Sequence, residues 1–167
     1  MNTAELSKYA PQAREDFMAA VRLQAGRVGV REDGCSPVER QGEAVVIDGV
    51  THPQSIQNAR QNLVQRVESI GFDATMDAAA YTWFNRLCAI RYMELHGFLD
   101  HGYRVLSHPD GGTLPEILEK ATDIDLPGLD KSRVAELKLD GTQDEELYRL
   151  LLKAQCNALH VAMPFLF

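Results

Sequence analysis

Apolar side chains recur at three- and four-residue steps over much of the chain, which is the spacing of helices that bury one face. The first stretch begins at Pro11 and weakens near Gly26, and a short helical turn is expected before it over residues 3–9. A second stretch opens at Pro53 and stops at Gly71, a residue suited to a helix end. The pattern predicts a mainly α-helical chain.

A third helix is expected from about Asp73, which could cap it, to His96. Its apolar residues surround the axis instead of forming one stripe, and a helix of this kind belongs in the middle of a domain. The charged residues Arg86, Arg91 and Glu94 would then be partly enclosed. Enclosed charges need partners, so we expect hydrogen bonds or ion pairs around them.

The last helix has the clearest pattern. Thr142 and Glu145 have the spacing of a reciprocal capping box, and an apolar stripe follows as far as Pro164. Most of the chain over 97–141 is expected to be loop, interrupted by a short helix over 116–121.

One strand signal interrupts the helical pattern. The run Ala44–Ile47 is followed by Asp48 and Gly49 and then by Val50–Thr51, which is typical of a two-residue hairpin turn. The fold class predicted is mainly α, a single helical domain over 1–167 with a small β-hairpin near residues 44–52.

The net charge of the chain bears on whether it can bind DNA. With 17 basic and 24 acidic residues the formal net charge is -7, which opposes the general attraction that non-specific DNA binding uses. Any contact with DNA should therefore be local. Acidic residues outnumber basic ones from residue 111 onward, a pattern that suits a protein partner or plain solvation.

The cysteines and the hydropathy indicate the compartment. Cys35, Cys88 and Cys156 are far apart and form neither a zinc motif nor a disulfide framework, so a reduced intracellular protein is expected. The sequence contains no run of about 18 apolar residues and no signal pattern at its start. We therefore predict a cytoplasmic protein without a membrane partner.

Three histidines, His96, His101 and His108, lie close together in the sequence and raise the question of a metal site. Helical metal pairs use steps of three or four residues, and glycines break the helix here, so hydrogen bonds that anchor the loop are favoured. We assign no metal-binding, catalytic or cofactor-binding residue.

A group of cations and aromatic rings provides the candidate DNA contacts. These are Arg86, Arg91, His101, Tyr103 and Arg104. Such residues can stack on bases and hold phosphates. They can equally form a network that holds helices together, which the residue types alone favour.

The stretch over 81–107, YTWFNRLCAIRYMELHGFLDHGYRVLS, resembles the N-terminal signature of PglX, also called BrxX, the adenine-specific DNA methyltransferases of BREX phage-defence systems. The similarity extends through the whole chain. It includes the segments 44–49, 125–130, 137–141, 146–151 and 163–167.

The resemblance implies a longer parent enzyme that transfers a methyl group from S-adenosylmethionine to the exocyclic nitrogen of adenine, marking host DNA. That chemistry needs a cofactor loop after a strand and an N-P-P-Y-type turn, and the sequence contains neither. No catalytic or cofactor residue can therefore be mapped onto this chain, and we expect it to be inactive alone. The apolar end over 163–167 predicts a segment cut from a longer chain.

Two functions follow as hypotheses. In the first, the chain is an accessory domain that packs on the rest of the methyltransferase and supports its hold on duplex DNA. In the second, it is a docking module for other BREX proteins or for a phage inhibitor. A free-standing small regulator is disfavoured by the apolar end.

Overall fold

The computed structural model describes residues 3–167, with side chains described from Ser7 onward. Within that part the helices are α1 Thr3–Arg27, α2 Ile56–Ile70, α3 Phe72–His96, α4 Glu116–Glu119, α5 Lys131–Asp140 and α6 Asp144–Ala162. The strands are β1 Val30–Arg31, β2 Gly34–Cys35, β3 Val38–Gln41, β4 Ala44–Ile47 and β5 Val50–Pro53. The predicted mainly α class is confirmed.

The chain folds as two compact units, one ending at Tyr81 and the other beginning at Thr82. None of the helices among the described residues is both long enough and apolar enough to cross a membrane.

The first unit buries a small core where α1, β1, α2 and the start of α3 meet. Ala25, Val30 and Met76 are its most buried residues. Partly buried residues of the apolar stripes pack around them: Met18, Val21, Val28, Leu63, Val64, Val67 and Phe72. The three- and four-residue spacing in α2 thus corresponds to the face it buries.

A three-stranded antiparallel sheet with the order β3-β4-β5 belongs to this unit. The predicted hairpin is confirmed, because β4 pairs with β5 and Val45 lies opposite His52. Asp48 and Gly49 both have positive φ, 50° and 78°, as a tight hairpin turn requires. Strand β3 was not predicted, since Val38 is followed by three polar residues and gives no alternating pattern.

Two expected helix starts in this unit are wrong. Helix α1 is continuous through Pro11, so the separate turn over residues 3–9 does not exist. Pro53 is the last residue of β5, and α2 begins three residues later at Ile56. The stop at Gly71 is confirmed, with its N–H donating to the Val67 carbonyl at 2.8 Å.

Two polar residues of the first unit have roles other than those expected. Asp73 lies inside the first turn of α3 instead of capping it, and its carboxylate accepts a hydrogen bond from Arg22 at 2.7 Å. Arg60 of α2, a polar residue outside the apolar stripe of that helix, donates to the carbonyls of Val28 and Ser36. It therefore ties α2 to the loops beside the sheet.

The second unit contains the larger core. It is built from the second half of α3, α4, α5, α6 and the segments between them. Its least exposed side chains are Ile90, Val105, Ile117, Leu147 and Leu151, each 0% exposed. The predicted stripe of α6 provides the last two.

Helix α5 corrects the expectation of a loop before Gly141. Asp130 caps this helix, its Oδ1 accepting from the backbone N–H groups of Ser132 and Arg133, both at 3.0 Å. Gly141 ends it with φ of 67°. The helix was missed because it is short and buries only Val134 and Leu137.

The expected capping box at the start of α6 is also wrong. Helix α6 begins at Asp144 after Gln143, whose side chain makes no capping hydrogen bond. The Thr142 hydroxyl instead donates to the Asp140 carboxylate. Local hydrogen bonds of threonine with the preceding turn compete with capping in this way.

Replacing Asp130 by alanine should lower the free energy of unfolding by about 1 kcal/mol, because two N–H groups at the start of α5 lose their acceptor. Urea unfolding of the chain followed by circular dichroism measures this. Asp125→Ala is the control, since that carboxylate is 84% exposed and its ion pair with Lys131 lies at the surface. Equal effects of the two substitutions would rule out the capping role.

Helix α3 differs from the fully enclosed helix that its sequence predicts. Ile90 and Glu94 are 0% and 7% exposed, whereas Tyr92 and Leu95, on the other side of the helix, are 58% and 51% exposed. The helix carries apolar residues on two sides, and the second unit covers only one of them.

Candidate nucleic-acid interface

The buried Glu94 side chain organises the loop that follows α3. Its carboxylate, 0% exposed, accepts hydrogen bonds from the backbone N–H of Val105 at 2.8 Å and of Leu106 at 2.7 Å. The Ser107 hydroxyl donates to the same carboxylate at 2.9 Å. The enclosed charge thus has the partners that its position demands.

Arg91 completes this network. Its guanidinium pairs with Glu94 one helical turn away and donates to the Ser107 hydroxyl at 2.6 Å. Burial alone would raise the pKa of Glu94, but the hydrogen bonds from Leu106, Arg91, Ser107 and Val105 outweigh it and hold the pKa below its ordinary value of 4.5. Glu94 is therefore a carboxylate at neutral pH, and the charge of Arg91 is largely matched within the chain.

His101 links the same loop to α6. The Tyr103 N–H donates to its Nδ1 at 3.1 Å, so the ring proton lies on Nε2 and is donated to the Gln155 side chain at 2.7 Å. The rings of His101 and Tyr103 stack with centroids 5.9 Å apart. Both residues contribute to holding the loop.

His108 fixes the next part of the loop. Its Nδ1 accepts from the Asp110 N–H at 3.2 Å, and its Nε2 lies 3.5 Å from Glu119 Oε2. Loop anchoring is thus what the geometry shows for both His101 and His108. The part of the chain that the structure describes contains no group of three or more His, Cys, Asp or Glu residues arranged to hold a metal ion.

Arg86 also makes intramolecular contacts. Its Nε donates to the Leu166 carbonyl at 3.2 Å, and its guanidinium lies over the Trp83 ring at 5.5 Å. The hydrogen bond ties α3 to the segment after α6, whereas the contact with Trp83 lies within α3.

Arg104 differs from the other two arginines. Its backbone is fixed, since its N–H donates to Glu116 Oε2 at 2.8 Å and its carbonyl accepts from the Ile117 N–H at 2.9 Å. Its side chain is half-buried, and among the described residues its guanidinium has no hydrogen bond or ion pair.

The five predicted residues thus have unequal roles. Arg86, Arg91 and His101 make intramolecular contacts, the alternative to DNA contact that the residue types favour, and Tyr103 stacks on His101. DNA contact stays a prediction for all five. Glu94 could be singled out from the sequence as a carboxylate in an apolar helix, but its loop partners and Gln155 could not.

A second group of cations was not singled out from the sequence. Arg22, Arg27 and Arg31 line an open groove of about 490 Å³ in the first unit. Arg22 pairs with Asp73, and Arg31 pairs with Asp48. Two of the three charges are therefore matched by carboxylates. This lowers the attraction of the groove for a phosphate.

The whole chain is similar to two curated proteins, although no family model matches it. Adenine-specific methyltransferase BrxX of Escherichia coli O9:H4 (strain HS) is 48% identical over 175 residues, covering 100% of this chain and 14% of that protein. Adenine-specific methyltransferase PglX of Lacticaseibacillus casei (strain Zhang) is 32% identical over 187 residues, covering 100% of this chain and 16% of that protein. The chain therefore spans about a seventh of the length of these relatives. Over its whole length it is similar to an N-terminal region of BREX adenine-specific methyltransferases, which confirms the resemblance found in its sequence.

Proposed function

We propose that the chain is an accessory region of an adenine-specific DNA methyltransferase and that it helps the enzyme hold duplex DNA through Arg104. The support for this role is the guanidinium of Arg104, which has no partner within the described part of the chain, on a backbone fixed from both sides. Because the loop is already ordered, placing this cation against a phosphate requires little additional ordering. A single local contact also suits a chain whose net charge is -7.

Methyl transfer from S-adenosylmethionine belongs, in this proposal, to the rest of the enzyme. The described residues contribute a helical scaffold and an ordered loop. The parent enzyme would act in the cytoplasm, marking host DNA for phage defence.

Replacing Arg104 by alanine in the full-length methyltransferase should weaken its affinity for duplex DNA about fivefold at low salt. The plot of log affinity against log salt should also lose about one unit of slope, because one phosphate contact is removed. Fluorescence anisotropy with a labelled duplex at several salt concentrations measures both quantities.

Arg149→Ala is the matched control for this experiment. Arg149 is 64% exposed and pairs with Glu145 within α6, so its loss should leave DNA affinity and salt slope unchanged. Unchanged affinity and slope in the Arg104 variant would remove Arg104 from the interface.

The acidic start of α6 favours a second candidate function, a docking module for another BREX protein or a phage inhibitor. Asp144, Glu145 and Glu146 are all exposed in the first turn of α6. A basic partner would be recognised there. Pull-down from cells with the wild-type enzyme and with all three residues changed to the neutral amides tests this, and equal recovery of partners would count against docking.

A further inference from the structure

An exposed cluster of rings lies at the end of α3 in the second unit. We define the aromatic patch as Tyr92, Leu95, His96 and Phe98. Tyr92, Leu95 and Phe98 are 58%, 51% and 57% exposed. The ring centroids of Tyr92 and His96 are 4.3 Å apart, those of His96 and Phe98 are 5.7 Å apart, and those of Tyr92 and Phe98 are 6.1 Å apart.

The rings of the patch are clustered and not scattered over the surface, because Tyr92, His96 and Phe98 all lie against one another. Isolated exposed apolar residues are normal on a protein surface, whereas clustered aromatic residues mark an interaction site. Aromatic residues are also the side chains that contribute most to binding when a partner covers them.

The charges around the patch favour a protein partner over DNA. Arg91, on the same helix, is paired with Glu94 and Ser107. Asp100, two residues beyond Phe98, is exposed and would repel phosphate. The patch itself contains no Lys or Arg.

We infer that the aromatic patch is the surface on which the remaining polypeptide of the same methyltransferase packs. This inference rests on the proposal that the chain is a region of such an enzyme. The matched part is 14% of BrxX and 16% of PglX, so most of a polypeptide of this kind lies outside it. That polypeptide is tethered to the patch, and tethering raises its effective concentration far above that of any free partner.

Photo-crosslinking in the full-length enzyme tests the inference. Phe98 is replaced by the photoreactive analogue p-benzoylphenylalanine, and crosslinked products are identified by mass spectrometry after irradiation both without and with added duplex DNA. The expected result is one dominant intramolecular crosslink to a peptide outside the region 1–167. The same analogue at Leu139, which is 88% exposed on α5, is the control for an exposed residue outside the patch and should not give that crosslink.

Leu95→Ser in the crosslinking protein should reduce the yield several-fold, because it replaces an exposed apolar side chain of the patch by a polar one, whereas Leu139→Ser should leave the yield unchanged. Crosslinks to a second copy, to residues 3–81 or to added duplex in place of the remaining polypeptide would overturn the inference, as would the absence of a dominant crosslink. DNA affinity is measured separately, so an enzyme that crosslinks as expected but does not depend on Arg104 would contradict only the proposed DNA contact.

Discussion

Replacing Glu94 by glutamine is expected to lower the free energy of unfolding by about 2–4 kcal/mol. Each oxygen of the carboxylate accepts two hydrogen bonds, one oxygen from the N–H groups of Val105 and Leu106 and the other from Arg91 and Ser107. A glutamine must place its NH₂ group at one of these positions, so donors then face donors. The loop loses its anchor on α3.

Urea unfolding followed by the fluorescence of Trp83 measures this effect, because Trp83 is the single tryptophan and lies in the second unit. Glu145→Gln is the control, since that carboxylate is 82% exposed and its ion pair with Arg149 lies at the surface. A Glu94 variant as stable as the control would show that the network does not stabilise the loop.

Wild type and Glu94→Gln should differ in how their free energy of unfolding changes with acid. The pKa of Glu94 is lower in the folded chain than its ordinary value of 4.5. The carboxylate therefore contributes its full share to the stability of the fold above pH 4.5. As the pH falls through the folded pKa, the carboxylate binds a proton and the contribution is lost. The stability difference between wild type and Glu94→Gln should therefore shrink below pH 4.5 and stay constant above neutrality.

Gly29→Ala should destabilise the first unit by about 2–5 kcal/mol. Gly29 has φ of +66°, which side chains other than glycine rarely adopt. A Cβ there would lie 2.6 Å from Ile47 Cγ2 and 2.9 Å from Ser36 Cβ, so the buried Ile47 would have to move. Urea unfolding followed by circular dichroism measures the loss.

Gly26→Ala is the matched control three residues earlier. Gly26 lies inside α1, and an added Cβ there meets nothing within 4 Å. Alanine at this site should raise the free energy of unfolding by about 0.5–1 kcal/mol, because it restricts the unfolded chain. The changes in the free energy of unfolding are therefore expected to have opposite signs. A destabilising effect of equal size at both sites would contradict the close packing around Gly29.

Helices and strands that are marked by a pattern of residues close together in the chain were predictable from the sequence. The hairpin follows from the Asp48-Gly49 turn, and α6 follows from a stripe long enough to establish its period. Helix α5 and strand β3 were missed because neither has enough apolar residues to set a period. Their structure depends on a cap in one case and on a neighbouring strand in the other.

The candidate interface was predictable only in part. The residue types indicated a network of cations and rings, and an enclosed Glu94 indicated that partners were needed. The identity of those partners, the N–H groups of Val105 and Leu106, depends on the path of a loop without a periodic pattern. The sequence likewise predicted the apolar character of α3 without showing which side stays exposed, because that depends on what packs against it.

We propose that the guanidinium of Arg104 contacts duplex DNA in the full-length enzyme. Modification of arginine side chains by phenylglyoxal, quantified residue by residue by mass spectrometry with and without duplex DNA, tests it directly. We expect DNA to slow the modification of Arg104 several-fold while Arg149, 64% exposed, reacts at an unchanged rate. Equal modification rates of Arg104 with and without saturating DNA would contradict the account.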